Sequence, residues 1–183
     1  MRQSRELKAL GLMHLVYTRN IFTPVLVDME KNGMSPNIAS FVGSATLRIN
    51  AIGYENRPPT DIEMDSMKLL VRQAMEEGAL GIGSALIYVP GIFAKPDELI
   101  AICKVAAEYD GMYISHIRNE GDDIINSLDD FIITAKKANI RAEIYHLKEA
   151  GRDNWDKFDD VVSKIDSARS TGLNITANMY TYI

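Results

Sequence analysis

Apolar positions along this 183-residue chain alternate between two spacings. Apolar residues at helical spacing predict five helices, over 22–33, 60–78, 96–107, 124–135 and 155–165. Short apolar runs predict five strands, over 37–42, 80–84, 112–116, 142–146 and 174–180. The stretch 43–59 is predicted to form turns. Strands that alternate with helices indicate an α/β fold with a parallel sheet and right-handed crossovers.

Two α/β folds fit this order of elements. An open doubly wound sheet can be built from five strands. A closed (β/α)8 (TIM-type) barrel typically needs about 250 residues, so this chain would supply a partial barrel of about five parallel strands with alternating helices. In both folds, functional side chains collect at the carboxyl ends of the strands.

Local signals mark several boundaries of these elements. Thr60 followed by Glu63 forms a capping box at the start of the second helix, and Gly78 closes that helix. Pro96 fits the first turn of the third helix. Gly81 and Gly83 do not form a dinucleotide-binding motif with Gly78, and they fit a crowded strand instead.

Composition and charge exclude several classes of protein. Hydrophobic residues make up 46% of the chain and charged residues 25%, which is typical of a globular domain. The net charge of −5 provides no basic surface for nucleic acid or anionic lipid. No apolar run is long enough for a transmembrane helix, and the N-terminus lacks the apolar core of a secretory signal. A single cysteine fits a reducing compartment, so we expect a cytoplasmic protein.

Two of the three histidines occupy matching places in two similar segments. His116 lies in YISHIRNEG and His146 in EIYHLKEAG, each at the end of a predicted strand. Alternation along a strand places His116 on the face of Ile114 and His146 on the face of Ile144. Two imidazoles at neighbouring strand ends could bind one zinc ion. The alternative is that each histidine only caps its strand through hydrogen bonds.

Several stretches in combination resemble the N-acyl-D-amino-acid deacylase (D-aminoacylase) family of the amidohydrolase superfamily. They share the H-x-R-x-E-G and H-x-K-x-x-G segments that follow LIY-x-P-G, and they occupy 36–48, 76–122, 146–155 and 175–182. The resemblance extends from about residue 22 to the end of the chain. It implies a zinc-dependent hydrolase of the amide bond in N-acyl-D-amino acids, built on a (β/α)8 barrel.

The resemblance also assigns roles to individual residues. It implies that His116 and His146 are zinc ligands, that Lys148 and Tyr180 bind the substrate carboxylate, and that Tyr88 donates to the carbonyl oxygen during attack. Lys148 could instead be a solvated loop residue, and the two tyrosines could pack at the rim.

The chain also departs from the family pattern. The family has Asp-x-Tyr-Pro-Tyr where this chain has Asn178 and Thr181 in place of the aspartate and proline. The family's H-x-H, bridging cysteine and general-base aspartate cannot be placed, since Cys103 lies on an apolar helix face. We therefore expect an atypical segment over 1–21 and a central part of a barrel domain over 22–183.

Because several motifs of the family cannot be placed in the chain, two kinds of function are expected as alternatives. One is a fragment of a metal-dependent hydrolase whose small-molecule substrate is an N-acyl amino acid. The other is a catalytically dead barrel fragment that acts as a binding or assembly module. In either case, exposed sheet edges would pair with the missing barrel segments or with a second copy. Arg118 and Glu120 are expected to pair with each other or with a neighbouring strand, and His14 to lie in the core or in a disordered segment.

Overall fold

The computed structural model of the chain describes residues 23–181, in which five strands alternate with helices. The strands are β1 Val42–Gly43, β2 Gly81–Ala85, β3 Met112–His116, β4 Arg141–Ile144 and β5 Ile175–Ala177. The α-helices are α1 Thr23–Lys31, α2 Ser44–Ala51, α3 Asp61–Glu76, α4 Pro96–Ala107, α5 Ile124–Ala138 and α6 Phe158–Ser170. Two 3-10 helices cover Gly91–Phe93 and Arg152–Lys157.

The five strands form one parallel sheet whose spatial order is the order of the chain, β1-β2-β3-β4-β5. A doubly wound sheet reverses its strand order at a switch point, whereas a barrel adds each strand beside the previous one. The continuous order therefore selects the partial barrel and rules out the open doubly wound alternative. The predicted fold class is confirmed.

The apolar core lies between the sheet and the helices. Inward residues of the strands, such as Ile82, Tyr113 and Ile144, are fully buried. They pack with the buried faces of the helices, which include Met67, Val71, Ile102, Cys103, Leu128, Phe131 and Val161. Burial keeps Cys103 protonated by raising the pKa of its thiol, in agreement with its interpretation as a packing residue.

The first strand and the residues that follow it differ from the sequence prediction. The strand predicted over 37–42 begins only at Val42, and the stretch predicted to form turns contains helix α2. Leu47 and Arg48 lie on the inward face of α2, and Arg48 is fully buried. Its guanidinium pairs with Glu98 at 2.5 Å and donates to the carbonyl oxygens of Glu55 and Arg57. A buried arginine interrupts the apolar pattern, and this explains why the helix was missed.

The last predicted helix also needs a correction. Residues 152–157 form the second 3-10 helix, and α6 begins at Phe158. Trp155 is 63% exposed and Phe158 is 51% exposed, so neither belongs to the buried face predicted for them. Val161 and Ile165 do form that face, because they lie one turn apart on the side of α6 that meets the core.

Capping residues, proline and glycine predicted the ends of helices more accurately than the spacing of apolar residues did. Thr60 and Glu63 form the predicted capping box at the start of α3, and Pro96 is the first residue of α4. Gly78 has a left-handed φ of 98° just after α3. At Gly81, a Cβ atom would lie 1.9 Å from the carbonyl oxygen of Met112, so only glycine fits this close strand pair.

Parts of the sequence predictions fall outside residues 23–181, namely the atypical segment 1–21 and His14. Among the helices of the described part, none has both the length and the apolar character needed to cross a membrane.

Candidate metal site

Two histidines and a tyrosine meet at the carboxyl edge of the sheet, as the strand-end pattern predicts. His116 is the last residue of β3, while His146 comes two residues after β4 and Tyr180 three residues after β5. His116 Nδ1 lies 2.8 Å from His146 Nε2, and the ring centroids are 4.4 Å apart. The Tyr180 ring stacks on His146 at a centroid distance of 5.3 Å.

The local conformation of His146 differs from the prediction. Strand β4 ends at Ile144, so His146 belongs to a turn and has a left-handed φ of 42°. If β4 continued, alternation would place His146 on the face of Ile144, which is fully buried on the helix side. The left-handed conformation breaks that alternation and directs the imidazole to His116 instead.

Glu120 is the central residue that sequence analysis missed. Its side chain is only 10% exposed and contacts three residues of the cluster. One carboxylate oxygen lies 3.1 Å from His146 Nδ1 and 3.7 Å from His116 Nε2, and the other lies 2.5 Å from Lys148 Nζ. The backbone fixes its position, because the Ala150 N–H donates to the Glu120 carbonyl at 2.6 Å. The sequence feature that could have indicated Glu120 is its place as the glutamate of the H-x-R-x-E-G segment.

Of the two alternatives expected for Arg118 and Glu120, the mutual pair is not formed, whereas Glu120 pairs with His146 and Lys148, which follow the neighbouring strand. Arg118 donates to the carbonyl oxygens of Ile92 and Ala94 at 2.9 and 2.7 Å, and it lies 3.6 Å from a carboxylate oxygen of Asp130. Arg118 therefore connects β3 to the loop that follows β2. That loop carries Tyr88, whose ring centroid lies 6.1 Å from that of His116.

Lys148 is part of the cluster. Its Nζ also lies 3.1 Å from His146 Nδ1 and 5.5 Å from the centroid of the Tyr180 ring. Its side chain is 37% exposed, so Lys148 is partly solvated and at the same time paired with Glu120. Tyr88 lies near His116, and Lys148 and Tyr180 contact His146, so the residues selected from the sequence all gather around the two histidines.

The donor atoms fit a divalent metal ion. His116, Glu120 and His146 each offer one ligand atom, and these atoms all lie within 4.8 Å of one another. His116 Nε2 is buried without a hydrogen-bond partner, which is costly unless another group engages it. Imidazole nitrogen and carboxylate oxygen are common zinc ligands. Burial lowers the pKa of the His116 imidazole, and the neutral form is the one that binds metal.

An open cleft beside the cluster has the size of a small-molecule site. Its volume is about 360 Å³, and its lining includes Ile87, His116, Arg118, Glu120 and Asn154. One wall belongs to the loop that carries Tyr88 and another to the segment around Asn154. A ligand in this cleft would contact His116 and Glu120 directly.

No family model matches the chain. It is 32% identical over 146 residues to an N-acyl-D-glutamate deacylase of Alcaligenes xylosoxydans xylosoxydans, covering 80% of this chain and 30% of the relative. It is 29% identical over 162 residues to a D-aminoacylase of the same organism, covering 88% of this chain and 33% of the relative. The chain thus spans about a third of the length of these curated relatives.

A solved structure gives the same result for the fold. The N-acyl-D-glutamate deacylase from Bordetella bronchiseptica, complexed with zinc and a phosphonate inhibitor, superposes with a TM-score of 0.83 at 27% identity. The superposition covers 92% of this chain and 36% of that protein. Sequence and structure comparisons agree, and they confirm the resemblance stated above.

Proposed function

The chain is a homologue of the N-acyl-D-amino-acid deacylases of the amidohydrolase superfamily, and on that premise we propose that it forms part of a metal-dependent amide hydrolase. The reaction would convert an N-acyl-D-amino acid to the D-amino acid and a carboxylate. Because the chain spans about a third of its relatives, this activity belongs to the complete enzyme. In this proposal residues 22–183 are the central part of the barrel domain, and the protein is cytoplasmic.

One observation carries the proposal, namely the convergence of His116, Glu120 and His146 at the functional edge of a barrel-type sheet. His116 and His146 would hold zinc, and Glu120 is positioned to serve as a further ligand or to orient the two imidazoles. Zinc, when bound, lowers the pKa of a bound water to about 7 and so makes hydroxide available at neutral pH.

Lys148 and Tyr180 would bind the carboxylate of the substrate. Lys148 places its ammonium beside His146 Nδ1, and Tyr180 stacks on the imidazole ring. Glu120 already orients Lys148, so an incoming carboxylate would meet a lysine whose position is fixed. Fixing the carboxylate orients the scissile amide toward the two histidines.

Tyr88 would donate its hydroxyl hydrogen to the carbonyl oxygen as negative charge develops there. It stands on the loop after β2, and its side chain is 63% exposed at the mouth of the site. A tyrosine hydroxyl stabilises an oxyanion without bringing a full charge. The anchoring of this loop by Arg118 limits how far Tyr88 can move from His116.

The outer strands of the sheet support a partner for this chain. Within residues 23–181, β1 and β5 each have a single neighbouring strand, which leaves backbone groups on their outer sides available for pairing. The remaining strands of the same barrel are the partner that the homology favours, and a second copy of the chain is the alternative. A chain that assembles in this way without binding metal would instead be a binding or assembly module.

Zinc analysis after dialysis tests the proposal. We expect weak but measurable zinc in the parent chain and none after His116→Ala or His146→Ala, because two imidazoles form the centre of the site. His14→Ala removes the third histidine and serves as the matched control. Zinc that survives both site substitutions would place the metal elsewhere, and absence of zinc from the parent would favour the assembly module.

A further inference from the structure

The turn that carries His146 is held by one residue of the neighbouring chain segment. The His146 backbone N–H donates to Asn178 Oδ1 at 2.6 Å. The Leu147 N–H donates to the Asn178 carbonyl at 2.8 Å, and the Asn178 N–H donates to the Ile144 carbonyl at 3.1 Å. Asn178 is therefore hydrogen-bonded to His146 itself and to the chain on either side of it, at Ile144 and Leu147.

These bonds matter because the conformation of His146 is unfavourable in isolation. A residue with a Cβ atom adopts a φ of 42° at an energetic cost, so surrounding contacts must hold it there. The same conformation directs the imidazole to His116. Whatever fixes this turn therefore also fixes the spacing of the two candidate zinc ligands.

Glu143 determines which side chain can hold the turn. Its carboxylate accepts a hydrogen bond from Asn178 Nδ2 and another from the Thr176 hydroxyl at 3.1 Å. Residue 178 must thus accept from the His146 N–H and donate to Glu143, and an amide does both. An aspartate has no donor for Glu143, and it would place two carboxylates against each other.

We propose that Asn178, oriented by Glu143, is a positioning residue that holds His146 in the geometry for metal binding. The inference rests on the proposed function, since it takes His146 as a zinc ligand. Asn178 itself touches neither metal nor substrate in this account. It acts through the backbone N–H of His146.

Exchanging the hydrogen-bond donor and acceptor between residues 143 and 178 tests this role separately from other effects of substitution. Asn178→Asp should break the network, because its carboxylate faces that of Glu143. The double variant Glu143→Gln with Asn178→Asp should restore it: the glutamine amide donates to the introduced carboxylate, and its oxygen still accepts from the Thr176 hydroxyl. Glu143→Gln alone should be tolerated. Asn126→Asp is the matched control, because Asn126 donates to Asp123 at an exposed position away from the site.

Two measurements on the full chain decide the matter. Hydrogen exchange at the His146 amide, followed by NMR without metal, reports the turn, and a zinc competition titration reports its consequence. For Asn178→Asp we expect exchange at least about tenfold faster and zinc affinity about 10–100-fold weaker, as for other residues that orient a metal ligand. The double variant should return to within about threefold of the parent in both, with the control unchanged.

Each result bears on a separate claim. Asn178→Asp with parental exchange and zinc affinity, or a double variant no better than Asn178→Asp, overturns the proposed role of Asn178. If the parent chain binds no zinc, the proposed function fails. The exchange rates of the four variants then still decide whether Asn178 holds the turn.

Discussion

His116 Nδ1 and His146 Nε2 lie 2.8 Å apart, although the two residues are 30 positions apart in the sequence and belong to different strand ends. At this separation one ring nitrogen must donate its hydrogen and the other must accept it, so the two rings share a single N–H···N hydrogen bond. The contact depends on two features, the pairing of β3 with β4 and the left-handed turn at His146. Disruption of either should separate the rings.

The chain alone should not hydrolyse N-acetyl-D-amino acids, because it spans only about a third of the length of its curated relatives and its candidate metal site offers three donor residues within residues 23–181. The assay is release of the amino acid by purified chain with added zinc. Turnover that disappears on His146→Ala would contradict this expectation. The nucleophile would then be activated by other residues, with Asp110, Asp153 and Asp156 the first to test.

Lys148→Ala in a complete enzyme should selectively impair substrates with a free carboxylate. We expect kcat/KM for an N-acetyl-D-amino acid to fall by about tenfold or more, the value of one well-placed charged hydrogen bond. The corresponding carboxamide, which carries no charge, should be much less affected. Equal losses for both substrates would show that Lys148 acts through Glu120 and His146 rather than on the carboxylate.

Arg118→Lys should loosen the loop that carries Tyr88, since lysine cannot reproduce the two parallel bonds to Ile92 and Ala94. Hydrogen exchange across residues 86–94, read by mass spectrometry, should accelerate. Arg72→Lys is the control, because Arg72 pairs with Glu108 on an exposed surface. Unchanged exchange in the loop would show that other contacts anchor it.

Arg48→Ala should strongly destabilise the fold, because it leaves the carboxylate of Glu98 buried without its partner. A loss of about 3–5 kcal/mol in the free energy of unfolding is typical for such a change. Urea denaturation measures it, with Lys164→Ala as a surface ion-pair control expected to cost less than about 1 kcal/mol. A double variant, Arg48→Met with Glu98→Leu, should recover much of the loss, and its failure to do so would assign the loss to packing or to the hydrogen bonds that Arg48 donates to the Glu55 and Arg57 carbonyls.

Glu63 should contribute to stability in acid. The Arg57 guanidinium, together with the Thr60 N–H, lowers the pKa of the Glu63 carboxyl from 4.5 to about 2. A carboxyl with a lowered pKa in the folded state stabilises the protein above its unfolded pKa, and this contribution is lost as pH falls from about 4.5 to about 2. Glu63→Gln should therefore raise the midpoint pH of acid unfolding, whereas Glu30→Gln, at an exposed position of α1, should not. Equal midpoints for the two variants would contradict this assignment.

The sequence predicted the order of strands and helices because periodicity reports burial, although β1 shares only Val42 with its predicted range. Helix α4 occupies the range that its proline and apolar face indicate. Helix α2 was missed because Arg48, a buried charge, stands where the pattern requires an apolar residue. Periodicity cannot recognise a charged residue whose partner, Glu98, lies on another helix.

The candidate site was predicted in part for a similar reason. His116 and His146 were found because each lies close to a strand end. The left-handed turn at His146 was missed because it depends on Asn178, which follows another strand. Glu120 was missed because its contacts with His146 and Lys148 arise only once β3 and β4 pair. Contacts between distant segments are set by topology, which local patterns do not encode.

X-ray absorption at the zinc edge tests the central claim most directly. The measurement uses the parent chain in excess over zinc, so that the metal occupies its strongest site. We predict two imidazole nitrogens at about 2.0–2.1 Å, together with at least one oxygen ligand. Loss of the imidazole shell in the double variant His116→Ala with His146→Ala would complete the assignment. A sulfur shell at about 2.3 Å, or a spectrum that the double substitution leaves unchanged, would contradict it.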